Sequence, residues 1–303
     1  MNIIVCVRTI PDITIISLSG TDMDRIDEGD LVYTANPSDR AAVELAVRMK
    51  KESGDVGTVT ILSVCPPENE HALRECLSTE ISEVIRIWDP ALSQADSHVT
   101  GVVLARAIAI EKWDLILTGH TTSDTKDYQL GYTIAGILGI PTVSNVTKVE
   151  LARHKGAAVV ESKVRKNRRD RLEVGLPALL AVETSVVPLV YGSLQDRIDA
   201  LRKEIRVWTR QDLELPLEQI DSRALRLELL GVSVPKPRPK MTFTPDRSLP
   251  AQRRMQLIMS GGITAKNQER FEGDAETLSA KFIDFIGQLN IDIKAGKKTR
   301  AYT

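Results

Sequence analysis

Apolar segments of two different periods alternate along the first half of the chain, and this alternation limits the possible folds more than any other feature. Continuous β-rich runs, typical of strands buried on both faces, occupy residues 3–7, 58–64, 84–88 and 115–118. Apolar side chains at helical spacing lie between and after them, at residues 37–53, 68–78, 97–112 and 128–138. Strands that alternate with helices predict an α/β fold with right-handed crossovers, a doubly wound and mostly parallel sheet covered on both faces.

The middle of the chain adds strands of another kind. Residues 142–150, 157–164 and 171–174 show partial alternation and are followed by an apolar run at 178–182. This pattern predicts antiparallel strands added to the parallel sheet. The polar stretch at residues 20–35 predicts a small hairpin over one end of the sheet. A mixed helix at 193–204 and an apolar stretch at 205–208 complete a predicted domain of residues 1–208.

The last third of the chain loses this periodicity and is predicted to be an extended arm, residues 209–303. The segment VPKPRPKMTFTPD, residues 234–246, holds four prolines, which remove backbone donors and favour extended conformations. A final helix at residues 274–289 carries one apolar stripe, formed by Leu278, Phe282, Phe285 and Ile286. Because such an arm cannot bury that stripe by itself, the pattern predicts docking on another surface, either its own domain or a partner chain.

Charge and cysteine content exclude several classes of function. The 303 residues include 40 basic and 41 acidic side chains, a formal net charge of −1, so no nucleic-acid partner is predicted. Cys6, Cys65 and Cys76 lack metal-ligand spacing and sit in apolar contexts, as buried reduced thiols would. Neither a leader segment nor a bilayer-spanning apolar run is evident, which predicts a cytoplasmic protein without direct membrane insertion.

A polar loop is the strongest candidate for a binding site. Ligands of open parallel sheets bind outside the carboxyl ends of the strands, here residues 7–12, 64–67 and 118–129. The stretch TGHTTSDTKDYQLG, residues 118–131, offers hydroxyls, a lysine and bare amides before a helix, where an anion such as phosphate is favoured. Plain N-capping by Asp124 or Asp127 is the simpler alternative for this loop alone. No dinucleotide or P-loop glycine motif occurs, so neither a Rossmann dehydrogenase nor a P-loop NTPase is predicted.

Other polar features carry less information. The histidines, His71, His98, His120 and His154, are scattered without metal-ligand spacing, and only His120 lies in the polar loop. The basic run KVRKNRRDR, residues 163–171, fits two alternatives about equally, a solvated hairpin tip and a docking patch for an acidic partner. No metal site and no catalytic residue is predicted.

Five segments follow one family pattern in order along the chain. They are VCVRTIPD, NPSDRAAVELAVRMKKESG, TGHTTSDTKDYQLGYTIAGILGIP, LPALLAVETSVVPLVYGSLQDRIDA, and the stretch from Gly231 through FTPD to GDAETLSAKFIDFIGQL. These segments resemble electron-transfer flavoprotein beta subunits of the prokaryotic type with a long C-terminal arm. The resemblance implies a nucleotide-binding domain over residues 1–208 and an arm over residues 209–303 that docks on an alpha subunit.

The resemblance implies an electron carrier rather than a self-contained enzyme. The alpha subunit of such a heterodimer holds FAD, and the pair shuttles electrons between dehydrogenases, such as acyl-CoA dehydrogenases, and a redox acceptor or donor. The beta subunit binds an adenine nucleotide of its own. This nucleotide is AMP in the non-bifurcating branch and a second FAD in the electron-bifurcating branch, the only branch with NADH-linked flavin chemistry. The sequence leaves the branch open.

The family's functional residues, carried over to the matching positions of this sequence, give the contacts that the resemblance implies. The nucleotide would lie beside Cys6, Asn36, Pro37, Ser38, Asp39, Val64, Thr122, Ser123, Asp124, Thr125, Lys126, Asp127, Gln129, Leu130, Gly131, Tyr132 and Thr133, with backbone amides of residues 129–133 facing phosphate. The loop that recognises a flavin dehydrogenase maps to residues 191–200, with Tyr191, Leu194 and Ile198 as docking residues. Lys126 replaces an acid of the family motif, so it either pairs with an extra phosphate or fills the site itself.

Two further hypotheses belong to other classes. One is a stand-alone adenine-nucleotide-binding regulator that resembles universal stress proteins, although the glycine-rich loop of those proteins is absent. The other is a family member whose nucleotide site has decayed and which serves as a structural partner.

Overall fold

The computed structural model describes residues 1–12, 14, 31–54, 56–77, 80–152, 156–165, 168–188, 193–228, 230, 245–259 and 273–288. The strands in this part are β1 (Ile3–Cys6), β2 (Thr9–Pro11), β3 (Tyr33–Ala35), β4 (Val59–Val64), β5 (Glu83–Ile87), β6 (Leu115–Gly119), β7 (Thr142–Ala152), β8 (Ala157–Arg165), β9 (Arg168–Gly175), β10 (Ala178–Val182) and β11 (Arg206–Trp208). The α-helices are α1 (Pro37–Glu52), α2 (Glu70–Arg74), α3 (Ser97–Ile110), α4 (Gln129–Leu138), α5 (Leu194–Arg202), α6 (Ala251–Met259) and α7 (Ala275–Gln288). Short 3₁₀ turns lie at Pro67–Asn69, Pro90–Leu92 and Leu217–Gln219.

A nine-stranded sheet has the order β11-β5-β4-β1-β6-β10-β7-β8-β9. Pairing is parallel from β11 to β7 and antiparallel from β7 to β9, which confirms the predicted α/β fold. The chain passes from β1 to β4 and β5 on one side and then returns to β6 on the other side of β1. Such a reversal is a topological switch point, and the carboxyl ends of β1 and β6 therefore form the expected ligand edge.

Helices cover both faces of the parallel strands. Val5 and Leu117 point into the core beneath α1 and α2, and Ile4 and Ile116 point into the core beneath α3 and α4. All four side chains are at most 2% exposed. Because both faces of β1 and β6 are buried, these strands show continuous apolar runs instead of alternation.

The run at residues 178–182 differs from the expectation of an added antiparallel strand. It forms β10, which pairs in parallel with both β6 and β7 and therefore occupies an interior position. Every residue of β10 is buried, so its apolar character comes from burial on both faces. The helix expected over residues 68–78 is shorter: a 3₁₀ turn precedes α2, which has 5 residues. An antiparallel pair joins β2 to β3, and β2 precedes the range of residues 20–35 in which a hairpin was predicted. Residues 15–30 lie outside the described part, so that hairpin stays a prediction.

The chain divides into two compact units, Met1–Val234 and Pro235–Thr303. The first unit extends past the predicted boundary at residue 208, because Leu213, Leu215 and Ile220 are buried in the core beneath α3 and α4. Helices α6 and α7 are the described elements of the second unit, and α6 has no counterpart in the sequence predictions. Phe282 and Phe285 of α7 are exposed, and the side chain of Ile286 lies outside the described part. Docking of the arm stays a prediction.

Two kinds of feature are absent from the described residues. Among the helices in this part of the chain, none combines the length and apolar character needed to cross a membrane. The His, Cys, Asp and Glu side chains within the same residues form no group that could hold a metal ion.

Candidate functional site

A buried carboxylate joins the two strand ends at the switch point. Asp39 lies in the first turn of α1, where the helix dipole favours an acid. Asp39 Oδ2 accepts the N–H of Arg8, just after β1, at 2.8 Å, and Asp39 Oδ1 accepts the N–H of Gly119, the last residue of β6, at 2.8 Å. Burial raises the pKa of the Asp39 carboxyl to about 6, although the Arg8 charge acts in the opposite direction. Asp39 is therefore a positioning residue for both strand ends.

The polar loop after β6 is tied to the start of α1. Asn36 Nδ2 donates to the Thr121 carbonyl at 3.0 Å, and Asn36 Oδ1 accepts the Ser123 N–H at 3.2 Å. Ser38 Oγ donates to the same carbonyl at 2.6 Å. A Cβ at Gly119 would lie 2.3 Å from Ser38 Oγ, so only glycine permits this close approach. The side chains of Asn36 and Ser38 are thus engaged in shaping the loop.

Hydrogen bonds within the loop order its tip. Thr122 is buried, and its hydroxyl bonds Thr125 Oγ1 at 3.0 Å and accepts the Asp127 N–H at 3.2 Å. Asp124 Oδ1 accepts the Thr125 N–H at 2.6 Å. Lys126 adopts a left-handed backbone conformation, with φ of 57°, and its side chain is exposed. The loop therefore has a defined conformation with Lys126 at its exposed tip.

Asp127 links the loop to three other segments. Its Oδ2 accepts hydrogen bonds from Ser97 Oγ and from Arg8 Nη1, the latter at 3.0 Å. Its Oδ1 accepts the N–H of Gln129, the first residue of α4, at 2.9 Å. Burial alone would raise the pKa of the Asp127 carboxyl, but the hydrogen bonds and the Arg8 charge lower it below its usual range. The part played by Arg8 and Ser97 was not predicted from the sequence, although Arg8 directly follows the first strand pattern.

The first turn of α4 lies close to β6. No side chain caps α4 at Tyr128, and the amides of Leu130 and Gly131 have no acceptor among the described residues. A Cβ at Gly131 would lie 3.0 Å from Thr118 Oγ1. Thr118 is 0% exposed, and its hydroxyl has no hydrogen-bond partner within the described part of the chain. The bare amides of this turn are donors that an oxyanion would satisfy, whereas the Thr118 hydroxyl is enclosed between the turn and β6.

The remaining predicted nucleotide contacts lie along the same edge. Cys6 is buried at the end of β1, and burial raises the pKa of its thiol. Val64 ends β4, and Pro37 begins α1; both side chains are half-buried. Tyr132 is exposed on α4, whereas Thr133 packs against α3. The structure therefore gathers these residues at the carboxyl ends of the neighbouring strands β4, β1 and β6, and their contact with a nucleotide stays a prediction.

The predicted docking segment contains a well-capped helix. Ser193 and Asp196 form a capping box at the start of α5. Leu194 is 75% exposed, Ile198 is half-buried, and Tyr191 lies outside the described residues. The exposed Leu194 side chain is accessible to a partner, and its role in docking stays a prediction.

Arg74 holds the other end of α5. Its Nη1 donates to the carbonyls of Ala200, Leu201 and Lys203, at 2.6, 3.2 and 3.0 Å. Its Nη2 donates to Glu70 Oε1 on α2 at 2.8 Å. A cation that donates to the last carbonyls of a helix also interacts favourably with the helix dipole. The orientation of α5 is therefore coupled to α2.

The basic run lies on the exposed hairpin of β8 and β9. Several of its cations face carboxylates: Lys163–Glu183 at 3.4 Å, Arg168–Asp170 at 3.1 Å, Arg169–Glu161 at 3.7 Å and Arg171–Glu150 at 3.3 Å. Residues 166–167 lie outside the described part. Exposed pairs of this kind suit a solvated tip and a docking patch equally, so both alternatives stay predictions.

His120 lies beside the polar loop on its β10 side. Its backbone N–H donates to the Val182 carbonyl at 2.8 Å, and its ring packs against that of Tyr128 with 5.3 Å between ring centroids and a tilt of 53° between the ring planes. Burial lowers the pKa of the imidazole, with opposing influences from nearby charges. His120 thus supports the start of α4 through packing.

Comparison with known proteins gives consistent matches. A model of the electron transfer flavoprotein domain matches residues 25–213. The chain is 30% identical over 237 residues to the electron transfer flavoprotein subunit beta of Thermoanaerobacterium thermosaccharolyticum, an alignment covering 78% of this chain and 88% of that protein. It is 32% identical over 216 residues to the protein of the same name from Clostridium acetobutylicum, covering 71% and 81%. It is 31% identical over 220 residues to the caffeyl-CoA reductase-Etf complex subunit CarD of Acetobacterium woodii, covering 72% and 82%.

Proposed function

The chain belongs to the electron transfer flavoprotein family as a protein of the beta-subunit type, and on that premise we propose that it is one half of a two-subunit cytoplasmic electron carrier. A partner of the alpha-subunit type would hold FAD, which accepts and releases electrons. This chain would dock that partner and a flavin dehydrogenase, and it would bind an adenine nucleotide of its own. The similarity to a subunit of a named complex supports assembly with other chains.

The environment of the first turn of α4 carries the nucleotide part of the proposal. The amides of Leu130 and Gly131 point away from the helix without acceptors in the described residues, beside the buried hydroxyl of Thr118. A phosphate at this turn would accept N–H donors and meet the positive end of the helix dipole. Arg8 lies at the same crevice, where its positive charge is paired with Asp127. The residues present therefore suit the phosphate of a nucleotide.

The identity of the nucleotide depends on how many phosphates the edge accommodates. AMP would need only the start of α4, whereas a second FAD would bring a diphosphate and flavin chemistry to this chain. The exposed Lys126, at the tip of the loop, is suited to pair with the additional phosphate. We retain AMP and a second FAD as alternatives, and with them the non-bifurcating and bifurcating branches.

Docking of a dehydrogenase is assigned to α5. Leu194 would insert into an apolar site on the partner, and Arg74 would keep the helix in the orientation that presents it. The C-terminal arm would contribute a separate contact with the alpha-type subunit, since Phe282 and Phe285 of α7 are 62% and 49% exposed. Exposed aromatic residues on one helix are typical of surfaces that partners cover.

A count of cofactors tests the proposal. The chain would be produced together with an alpha-type subunit from the same organism, and nucleotides released from the purified pair by denaturation would be quantified. One FAD with one AMP supports the non-bifurcating branch, and two FAD per heterodimer support the bifurcating branch. A complex without a nucleotide on this chain would support the decayed-site hypothesis, and failure to form any yellow complex would contradict the carrier function.

Two glycine variants test whether the bound nucleotide contacts the first turn of α4. Gly131→Ala would place a Cβ 3.0 Å from Thr118 Oγ1 and 3.2 Å from Leu179 Cδ2, which is tighter than ordinary packing. Either these side chains or the first turn must then move by a few tenths of an ångström, and nucleotide retention should fall by up to about 10-fold. Gly136→Ala lies on the same helix with nothing within 4 Å of the new Cβ and serves as the matched control. Equal retention by both variants would contradict a phosphate at this turn.

The stand-alone regulator remains the alternative from another class. It would bind an adenine nucleotide without any alpha-type partner and would be colourless. The family match and the relatives support the electron-transfer assignment instead.

A further inference from the structure

We infer that Asp127 is a resident anion of the nucleotide site, which competes with the phosphate of an incoming nucleotide for Arg8 and for the start of α4, an assignment that rests on the proposed nucleotide binding. Its carboxylate already occupies the position that an anion would seek. Asp127 Oδ1 accepts the N–H of Gln129 at 2.9 Å, and Oδ2 accepts from Arg8 Nη1 at 3.0 Å. The first amide of α4 is therefore engaged before any nucleotide arrives.

The pairing also neutralises the charge that would attract phosphate. The side chains of Arg8 and Asp127 are only 19% and 12% exposed, so solvent screens their interaction weakly. Ser97 reinforces the contact, because its hydroxyl bonds Asp127 Oδ2 and its Oγ also accepts from Arg8 Nη1 at 3.2 Å. With the pair formed, the crevice has no net charge from these two groups.

Arg8 retains a donor for a second acceptor. Its Nε is buried and has no hydrogen-bond partner among the described residues, although Nη1 is fully engaged. A buried guanidinium N–H without an acceptor is unfavourable, so a phosphate oxygen that reached Nε would be bound in preference to water. A phosphate that contacts this guanidinium would draw on the same positive charge as the carboxylate at Nη1, so the two anions compete for one cation.

Two anions at one helix end repel each other. A bound phosphate would share the N-terminus of α4 with the Asp127 carboxylate, so binding requires either that the carboxylate turns away or that both charges are tolerated. Both routes weaken binding, and the penalty depends on the charge of the ligand. The phosphate monoester of AMP carries about −1.5 to −2 charges at neutral pH, whereas each phosphate of a dinucleotide carries about one. The Asp127 carboxylate therefore repels the phosphate of AMP more strongly, so Asp127 should favour a dinucleotide over AMP.

Removal of the charge at residue 127 tests this assignment. The whole chain, as wild type and as Asp127→Asn, would be titrated calorimetrically with AMP, FAD and adenosine at fixed salt. We expect Asp127→Asn to bind AMP about 10-fold or more tightly, a change that corresponds to ~1.4 kcal/mol, while adenosine affinity stays within about 3-fold because adenosine carries no phosphate. The gain should be smaller for FAD than for AMP.

Glu68→Gln is the matched control. Glu68 lies on the 3₁₀ turn after β4, at the same edge of the sheet, with an exposed side chain that makes no hydrogen bond or ion pair within the described residues. This variant loses the same single charge, so it should change AMP affinity by less than about 3-fold. An equal gain in both variants would mean that general electrostatics, and not competition, sets the affinity.

The outcomes distinguish failure of the competitor role of Asp127 from failure of nucleotide binding itself. Unchanged or weaker AMP binding by Asp127→Asn, with measurable binding by the wild type, would overturn the competitor role and make Asp127 a direct ligand or a bystander. Absence of binding of AMP and FAD in wild type and variants alike would instead overturn the proposed nucleotide function. If Asp127→Asn does not fold, Ser97→Ala is tested in its place. Loss of the Ser97 hydroxyl frees the Asp127 carboxylate from one hydrogen bond and should raise AMP affinity about 3-fold. No rise in AMP affinity would count against Asp127 as a competitor.

Discussion

Replacement of Asp39 by asparagine should change the pH dependence of stability in a defined direction. Asp39 is 2% exposed, and burial raises the pKa of its carboxyl from 3.8 to about 6. An acid whose pKa is raised by folding keeps its proton longer in the folded state, so the folded protein binds more protons than the unfolded chain between about pH 4 and pH 6. The free energy of unfolding of the wild type therefore falls as the pH rises through this window.

The size of the effect follows from the shift. A difference of roughly 2 pKa units between the folded and unfolded states corresponds to about 3 kcal/mol, at ~1.4 kcal/mol per unit. Asp39→Asn cannot titrate, so its stability relative to the wild type should improve by about this amount from about pH 4 to about pH 7. A pH-independent cost of about 1–3 kcal/mol is superimposed, because the amide Nδ2 cannot accept a backbone N–H as the carboxylate does.

Urea unfolding of both proteins, followed by far-UV circular dichroism at several pH values, provides the measurement. The difference between the two free energies is the informative quantity, since the titration of all other groups cancels in it. A flat difference would show that Asp39 has an ordinary pKa. A difference that moves in favour of the wild type as the pH rises would show that the bonds from Arg8 and Gly119 outweigh burial, and the reasoning would be refuted.

Gly119→Ala and Arg74→Met test two further contacts described above. Gly119→Ala would place a Cβ 2.1 Å from Asp39 Oδ1 and should lower the free energy of unfolding by about 3 kcal/mol. Gly136→Ala is the control and should raise the free energy of unfolding by about 0.5–1 kcal/mol, because nothing lies within 4 Å of its new Cβ. Equal urea midpoints for the two variants would contradict the clash at Gly119. Arg74→Met removes the donor to three carbonyls at the end of α5 and should speed amide hydrogen exchange in that helix by at least about 10-fold. Arg48→Met is the control: it breaks an exposed ion pair within α1 and should leave exchange in α5 unchanged. Equal exchange in both arginine variants would mean that α5 is held by packing alone.

The sequence predicted the elements whose signal is local. Buried parallel strands are continuous apolar runs, so β1, β4, β5 and β6 were evident within a few residues of their ends. The end of α4 was equally clear, because Gly139 adopts the left-handed conformation of a helix C-cap, with φ of 67°. The parallel pairing of β10 was not evident, since five apolar residues carry no information about the direction of their neighbours.

The candidate site likewise has one part that the sequence predicted and other parts that it did not. The polar loop before α4 was predicted because hydroxyl, amide and acidic residues cluster within one stretch of sequence. The linkage of Arg8, Ser97 and Asp127 was not predicted, because these residues belong to segments that only the sheet brings together. The importance of Thr118 was hidden for a similar reason, since a hydroxyl at a strand end becomes notable only once burial leaves it without a partner.

The position of β10 has a consequence for biosynthesis. β10 lies between β6 and β7 in the sheet, yet β7, β8 and β9 all precede it in the chain. While the nascent chain emerges from the ribosome, β6 and β7 each keep an open hydrogen-bonding edge until Val182 has been made. Translation that stops before this strand leaves a gap in the middle of the sheet, and such a fragment would aggregate or be degraded instead of persisting as a smaller folded domain.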